Sequence, residues 1–323
     1  MSINRVESSA PGKLVLSGEY AVLAGAKAVV AAVDRRVVCS LQRRNKADWS
    51  FKSMGYVFES SHTLDELFRD LPDEDPARFI AHLSTPNALP RHVAVTIDSS
   101  PFYLHKQKLG IGSSAAVTVA LGKALAALDG HEMGVEQLQQ AHRTFQRGVG
   151  SGLDVAAAYR GGVIVYQNNQ AQTHGLDPNV HYGFVFAGES TQTSRMIARF
   201  NEWRGETTPA SLAALVSAAN GVAEASVKAN AFMTCMKDYI RALVQLDRDA
   251  QIGIFGPGHE AAMGLAERHG VLYKPCGAGG GDMGVAFSTE DEALARFKRD
   301  VEEQGLNVVR LEIADDGVQV RAG

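Results

Sequence analysis

Glycine is unevenly distributed along this chain of 323 residues, and its clusters constrain the fold more than any other sequence feature. The chain holds 32 glycines, about a tenth of its residues, against a usual share of about 7%. They concentrate at Gly12, at Gly110 with Gly112, and at residues 277–282. Because glycine adopts backbone conformations that other residues avoid, and lets a ligand approach the main chain closely, we expect structured loops at a binding site.

The middle cluster has the clearest physical logic. Residues 108–114 read Lys-Leu-Gly-Ile-Gly-Ser-Ser and immediately precede a strongly helical segment, residues 115–128. Backbone N–H groups at a helix N-terminus, together with the helix dipole, form a site for anions. A serine hydroxyl at that position can also ligate Mg²⁺ on a bound nucleotide. The alternative is a loop that ends in an ordinary serine N-cap.

Two familiar phosphate-binding motifs are not supported. The pattern G-x-x-x-x-G-K-[ST] is absent, because Lys13 is followed by Leu14 and Lys123 by Ala124. Gly110-x-Gly112-x-x-Ala115 fits the dinucleotide fingerprint, but no strand separates it from the next acidic residue, Asp129. The sequence also lacks the H-E-x-x-H motif of zinc hydrolases.

Composition excludes several broad classes of protein. Hydrophobic residues make up 45% and charged residues 21%, so the chain can bury a substantial core. The net charge of −4 argues against a general nucleic-acid binder. Glu19 and Lys27 interrupt the most apolar early stretch, so we expect no membrane span. Three cysteines without a C-x-x-C pair, and no signal-peptide pattern, favour a cytoplasmic location.

Strand-like and helical segments alternate irregularly along the chain, which predicts an α+β fold. Strands are expected near residues 14–40, 92–98, 162–166, 271–274 and 284–287, and helices at 115–128, 135–146, 191–250 and 291–303. Turn residues at 168–181 predict a domain boundary.

The three glycine motifs, in this order, resemble those of the GHMP kinases, the superfamily of galactokinase, homoserine kinase, mevalonate kinase and phosphomevalonate kinase. Several details look most like phosphomevalonate kinases: Ala10-Pro-Gly-Lys-Leu with Ser17-Gly-Glu-Tyr, residues 108–117, Val149-Gly-Ser-Gly-Leu-Asp, and Ser190-Thr-Gln-Thr-Ser-Arg-Met with Trp203. The resemblance implies an N-terminal ATP-binding domain like ribosomal protein S5 domain 2 (residues 1–175) and a ferredoxin-like C-terminal domain (176–323). It also implies ATP and Mg²⁺ as cofactors, and a phosphorylated small-molecule acceptor.

The resemblance also implies roles for individual residues. Asp154, Lys13 and Lys108 would be catalytic, and Ser114 would ligate Mg²⁺. Nucleotide phosphates would contact Gly110, Gly112, Ser113, Ser114 and Ala115. Acceptor binding would involve Glu19, Tyr20, Arg147, Ser151, Ser194, Arg195, Gly279, Gly280 and Asp282. For Asp154, the alternative is a structural role as the N-cap of the following helix.

Two departures from the family pattern bear on the substrate. Related phosphomevalonate kinases carry a lysine shortly before the Gly-Ser-Gly-x-Asp run, where this chain has Gln146 and Arg147. Arg143 stands where mevalonate kinases place a second acidic metal ligand, which weighs against mevalonate kinase itself. Another GHMP kinase with a different acceptor, or a non-catalytic ligand-binding homologue, stays open. We expect no nucleic-acid or membrane partner, and a homodimer stays open.

Overall fold

The computed structural model describes residues 3–45, 48–86, 89–148, 150–188 and 193–323. Its strands are β1 (Arg5–Ser17), β2 (Ala28–Arg43), β3 (Trp49–Met54), β4 (Phe58–His62), β5 (Val93–Asp98), β6 (Tyr103–Leu104), β7 (Gln107–Lys108), β8 (Val163–Gln167), β9 (Gln170–His174), β10 (His181–Phe186), β11 (Leu272–Pro275), β12 (Met283–Ser288), β13 (Asn307–Val309) and β14 (Gln319–Ala322). Its α-helices are α1 (Arg78–Leu83), α2 (Ser113–Asp129), α3 (Val135–Phe145), α4 (Leu153–Arg160), α5 (Thr193–Arg204), α6 (Ala210–Ala225), α7 (Ala229–Ala250), α8 (Pro257–Arg268) and α9 (Asp291–Glu303). The predicted α+β class is confirmed. Val149 and residues 190–192, which contribute to two of the quoted motifs, lie outside the described residues.

The first sheet is built around the long antiparallel pair β1 and β2. Its strand order is β14-β1-β2-β5-β3-β4, with β8 also pairing with β2 and β9 with β8. The pairing of β1 with β2 is interrupted between Pro11 and Gly12, where the partner changes from Arg36 to Val33. Such an irregularity bends a strand and redirects the side chains that follow it. Here the redirected side chain is that of Lys13.

Helices α2 and α4 cover one face of this sheet. The alanine, valine and leucine residues of α2 occupy all of its sides, and the helix is buried along most of its length. An all-round apolar helix is typical of the middle of a domain, where it packs against other elements on every side. Both helices contact β1, and each begins at a glycine, Gly112 or Gly152, in the left-handed conformation. The two helix N-termini are therefore brought near the redirected end of β1.

The second sheet is antiparallel, in the order β11-β12-β10-β13. Helices α8 and α9 pack on it, and α7 also contacts β11. Phe232 of α7 meets Phe287 of β12 edge-to-face, with ring centroids 5.2 Å apart. Strand β11 leads directly into the third glycine motif, so this sheet determines where that loop begins.

The last described segment returns to the first sheet. Ile313 bridges to Val33, and β14 pairs with β1 over residues 6–9. The guanidinium of Arg36 donates hydrogen bonds to the carbonyl oxygens of Ser9, Asp316 and Gly317 at 3.0, 3.1 and 2.6 Å. A boundary near residue 175 stays a prediction, but the segment 313–322 pairs with the sheet of the predicted N-terminal domain. Within the described residues, no helix is long and apolar enough to cross a membrane.

Candidate active site

A cavity of about 440 Å³ lies where the three glycine motifs meet. Its walls come from both halves of the chain. Twelve of the residues predicted from the sequence line it: Lys13, Glu19, Tyr20, Lys108, Gly110, Gly112, Ser113, Ser114, Ser151, Asp154, Ser194 and Asp282. Five others do not: Ala115, Arg147, Arg195, Gly279 and Gly280. The structure thus brings most of the predicted residues together, while their chemical roles stay predictions.

The second glycine motif enters the cavity as a tight turn into α2. Gly110 and Gly112 have φ values of +73° and +81°, in the left-handed region that favours glycine. A Cβ at position 110 would lie 2.6 Å from Cγ of Asp282, so the second and third motifs touch there. Ser113 and Ser114 are the first two residues of α2, and their backbone N–H groups belong to the unpaired first turn. This end of the helix is therefore suited to bind an anion.

Ser114 is held by a histidine that was not among the predicted site residues. Its Oγ lies 3.1 Å from Nε2 of His142 in α3. Burial lowers the pKa of His142, and the nearby Asp154 carboxylate opposes this effect. Nε2 of a neutral imidazole can accept a hydrogen bond from the Ser114 hydroxyl. The lone pairs of the serine oxygen then remain available to a ligand.

Lys13 and Asp154 form an ion pair in the wall of the cavity. Nζ of Lys13 lies 3.4 Å from Oδ1 of Asp154. The lysine side chain is 9% exposed and the aspartate side chain 33%, so the carboxylate faces the cavity. The backbone N–H of Lys13 donates to the carbonyl of Ile111 at 2.8 Å, which ties the first motif to the second.

The structure does not support the N-cap alternative for Asp154. Helix α4 begins at Leu153 with Gly152 as its N-cap, and no side-chain cap hydrogen bond is formed. Asp154 lies inside the first turn, where a carboxylate interacts favourably with the helix dipole. The N-cap alternative starts the helix at Val155, two residues too late, because Gly152 in a left-handed conformation ends the loop and the helix begins at Leu153.

Two side chains hold the loop that precedes α4 in place through hydrogen bonds to its carbonyl oxygens. Tyr166 donates a hydrogen bond to the carbonyl of Ser151, and Gln139 donates one to the carbonyl of Gly152 at 3.2 Å. A Cβ at position 152 would lie 3.0 Å from the Tyr166 hydroxyl. Ser151 and Asp154 are therefore presented on a supported segment, not on a free surface turn.

Lys108 and Asp282 both line the cavity beside the second glycine motif. Lys108 retains contact with solvent at the rim. Desolvation by the surrounding protein lowers the pKa of its amine, and the Asp282 carboxylate opposes this shift. The charge of Lys108 is thus more easily lost at alkaline pH than that of an ordinary surface lysine.

Tyr20 connects the first glycine motif to the third. Its hydroxyl donates to the carbonyl of Ala278 at 2.6 Å, and its ring lies 5.1 Å from that of Phe200 in α5. Its φ of +59° is unusual for a non-glycine residue and is commonly associated with functional sites. Glu19, beside it, is buried against Lys274 and Tyr239, so its carboxylate is already engaged by the protein.

The residues that do not reach the cavity have identifiable positions elsewhere. Gly279 and Gly280 pack against the segment before α8, and the N–H of Gly280 donates to the carbonyl of Ile254 at 2.8 Å. Arg147 is 81% exposed at its side chain and lies 3.7 Å from Asp73. Arg195 is exposed on α5, whereas Ser194 beside it lines the wall. In this structure neither arginine contributes charge to the cavity.

Sequence reasoning missed several wall residues. They are Val15, Val22, Leu23, His142, Gln146, Leu153, Thr193, Ile197 and Cys276. Gln146, Leu153 and Thr193 directly flank a predicted residue, so the motif boundaries were drawn too narrowly at those points. His142 carried a usable signal, since it lies on the predicted helix that leads to the Gly-Ser-Gly-x-Asp run. Among the residues described, no group of three or more His, Cys, Asp or Glu side chains is arranged to hold a metal ion.

Known proteins resemble this chain in sequence. Residues 77–162 match the family described as GHMP kinases N terminal domain. Phosphomevalonate kinase of Streptomyces sp. (strain CL190) is 27% identical, over 86% of this chain and 88% of the relative. Phosphomevalonate kinase of Saccharolobus solfataricus is 25% identical, over 98% of this chain and 99% of the relative.

A solved structure shows the same fold. Streptococcus pneumoniae phosphomevalonate kinase, in complex with phosphomevalonate and AMPPNP, superimposes with a TM-score of 0.78 at 18% identity. The match covers 95% of this chain and 99% of that one. The family match at residues 77–162 includes the second glycine motif, α2 and the Asp154 loop. The Saccharolobus solfataricus relative aligns with nearly the whole chain. Residues 77–162 therefore carry a match to the GHMP kinases N-terminal domain, and the chain as a whole is similar to phosphomevalonate kinases in sequence and in fold.

Proposed function

We propose that the protein transfers the γ-phosphoryl group of ATP to the phosphate of 5-phosphomevalonate, giving ADP and 5-diphosphomevalonate in the mevalonate pathway of isoprenoid synthesis. The observation that carries the proposal is the Lys13–Asp154 pair, 3.4 Å apart in the same cavity as the glycine turn that opens α2. The two phosphomevalonate kinases that match this chain over most of their length support the choice of acceptor.

The nucleotide phosphates would bind at the N-terminus of α2. Gly110 and Gly112 line the cavity without side chains, so a phosphate can approach the backbone there. Ser113 adds a backbone N–H from the first turn of the helix. Ala115 is fully buried inside the fold and would contribute through its backbone alone.

The residues present fit a magnesium ion that arrives with the nucleotide. Mg²⁺ is commonly held by one or two protein oxygens together with phosphate oxygens and water. The Ser114 hydroxyl, with lone pairs left available by the His142 contact, and the Asp154 carboxylate are oxygens of this kind on the wall. When bound, the ion would neutralise charge on the transferring phosphoryl group.

Asp154, Lys13 and Lys108 would act mainly by positioning and charge neutralisation. The acceptor phosphate is already largely ionised near neutral pH, so it needs little help from a general base. Its oxygen would form a new bond to the γ-phosphorus as the bond from that phosphorus to the ADP oxygen breaks. Lys13, held by Asp154, and Lys108 at the rim would offset the negative charge that gathers between the two phosphates.

The acceptor would bind near Ser151 and Ser194, which line the wall from opposite halves of the chain. Both serines present hydroxyl groups that can donate to a phosphate or carboxylate. The exposed positions of Arg147 and Arg195 give no support for their direct contact with the acceptor, so the proposal does not include them.

A panel of acceptors tests the proposal. ADP release is measured with ATP and Mg²⁺ in the presence of mevalonate, 5-phosphomevalonate, 5-diphosphomevalonate, homoserine or galactose. We expect stimulation by 5-phosphomevalonate, with a diphosphate product visible by ³¹P NMR. Stimulation by mevalonate alone would assign the protein to the mevalonate kinases instead. Nucleotide binding without turnover on any acceptor would indicate a ligand-binding homologue.

A further inference from the structure

We propose that a buried polar cluster formed by Glu19, Tyr239 and Lys274, here called the Glu19 cluster, is a positioning device that sets the third glycine motif against the first. Its catalytic consequence rests on the proposed function. Glu19 was predicted from the family resemblance to contact the acceptor. The geometry assigns it to an interaction between the two halves of the protein instead.

Lys274 is the centre of the cluster. Its side chain is 0% exposed, and the ammonium donates three hydrogen bonds: to Oε1 of Glu19 at 2.6 Å, and to the carbonyl oxygens of Pro275 at 2.8 Å and Val15 at 3.2 Å. A lysine ammonium has three N–H donors, and each therefore has an acceptor. The direction of the amine is fixed by partners on two strands, β1 and β11.

The second oxygen of Glu19 completes the cluster. Oε2 accepts a hydrogen bond from the Tyr239 hydroxyl at 2.6 Å, and that hydroxyl accepts one from the N–H of Gly18 at 3.0 Å. Burial and the Glu19 carboxylate raise the pKa of Tyr239 well above its usual range, so it remains a donor at physiological pH. Both carboxylate oxygens of Glu19 are thus held by groups from the C-terminal half of the chain.

The cluster acts directly on the third glycine motif. Lys274 holds the carbonyl of Pro275, and the next residues, Cys276, Gly277 and Ala278, line the cavity. The carbonyl of Ala278 in turn accepts a hydrogen bond from Tyr20, the residue after Glu19. The start of the third motif is therefore attached at two points to residues 19–20 of the first motif.

Stability alone does not account for such a cluster. Burying two opposite charges costs desolvation free energy, and apolar side chains of similar size often stabilise a protein as well or better. Removal of one partner is different, because it leaves the other charge buried and unpaired. A role in geometry and a role in stability can therefore be separated by comparing single and double variants.

The test uses Lys274→Met, Glu19→Gln and the double variant that carries both substitutions. Each protein is measured by thermal unfolding, by kcat and KM for both substrates, and by amide hydrogen exchange of residues 276–282. We expect each single variant to melt several degrees lower, and the double variant to recover most of that loss. In the double variant kcat should still be reduced at least tenfold, and exchange in residues 276–282 should be faster than in the unsubstituted protein.

A matched control is available in the same structure. Lys27 and Glu224 also join the two halves of the chain, with Nζ 2.9 Å from Oε1, but the glutamate side chain is 68% exposed. Lys27→Met should leave the melting temperature, the kinetic constants and the exchange of residues 276–282 close to their original values. This control separates the effect of the buried cluster from that of any ion pair between the halves.

The outcomes are distinguishable from those of the functional proposal. A double variant that recovers both stability and kcat, with exchange of residues 276–282 unchanged, would overturn the positioning role. If the unsubstituted protein shows no turnover of 5-phosphomevalonate, the proposed function fails. The exchange measurement still decides on the cluster in that case, because it needs no substrate.

Discussion

The contact between the second and third glycine motifs can be tested by substituting glycines at the two ends of α2. The glycine after the helix serves as the control for the glycine before it. Gly110 precedes α2, and Gly130 follows it as the C-cap. Their φ values are nearly the same, +73° and +76°. Substitution of either by alanine places a Cβ in the left-handed region, which costs about 1–2 kcal/mol.

The surroundings of the two glycines differ. A Cβ at position 130 would meet no atom within 4 Å, whereas one at position 110 would lie 2.6 Å from Cγ and 2.7 Å from Oδ2 of Asp282. Because carbon atoms normally pack about 3.5–4.0 Å apart, the Asp282 carboxyl group must move by about 1 Å. Forced rearrangement of this kind typically costs a further ~1–3 kcal/mol.

We therefore expect Gly110→Ala to lose about 1–3 kcal/mol more stability than Gly130→Ala in denaturant unfolding. Its kcat/KM for ATP should fall by about 100-fold, since displacements of about 1 Å in a site can have effects of this size. Gly130→Ala should keep its kinetic constants within about twofold, because the surroundings of Gly130 leave room for the added carbon. Equal stability and equal kinetics in the two variants would refute the contact between the motifs as the reason for glycine at position 110.

Three further predictions concern single side chains. Asp154→Asn should reduce kcat by about 100-fold or more while the melting temperature changes little, because its carboxylate is partly exposed and faces the cavity. Ser114→Ala should reduce kcat/KM for ATP about tenfold or more and raise the Mg²⁺ concentration needed for half-maximal rate, as measured by metal titration. Burial lowers the pKa of His259 to about 4, so between pH 6.5 and 4 the unfolded chain binds a proton that the folded chain excludes. Stability should therefore fall as the pH falls through this window, by up to about 1.4 kcal/mol per pH unit from this group, and His259→Gln should weaken the dependence in denaturant titrations.

Each of these predictions has an outcome that contradicts it. Near-normal kcat in Asp154→Asn would remove the aspartate from the catalytic machinery. An unchanged Mg²⁺ requirement in Ser114→Ala would argue against the serine as a ligand of the ion. The same acid sensitivity with and without His259 would place the responsible group elsewhere.

The sequence predicted the local parts of the site well, because short motifs carry their own geometry. The Gly-x-Gly-Ser-Ser segment specifies a left-handed turn into a helix, and α2 begins at Ser113 as such a turn requires. Lys13 and Asp154 were identified from the family resemblance, and the structure places them 3.4 Å apart. The α+β class followed from the irregular alternation of strand-like and helical segments.

What the sequence could not supply were the contacts between distant segments. Glu19 meets Tyr239 and Lys274 across 220 and 255 residues, and no pattern near Glu19 signals partners so far away. Arg147 illustrates a different limit: it stands close to where related kinases carry a lysine, but a φ of +58° turns the chain there, and its side chain lies outside the cavity. Side-chain direction depends on such backbone details, which spacing along the chain does not reveal.

The return of β14 to the first sheet limits how far the two halves of this protein can be treated as modules. Strand β1 receives a partner on one edge from β2 and on the other from residues 319–322, which are synthesised about three hundred positions later. A fragment ending near residue 175 would leave that outer edge of β1 unpaired, and bare strand edges promote aggregation. A chimera that takes its C-terminal half from a related kinase would therefore need a terminal strand that pairs with β1, and not only a compatible cavity wall.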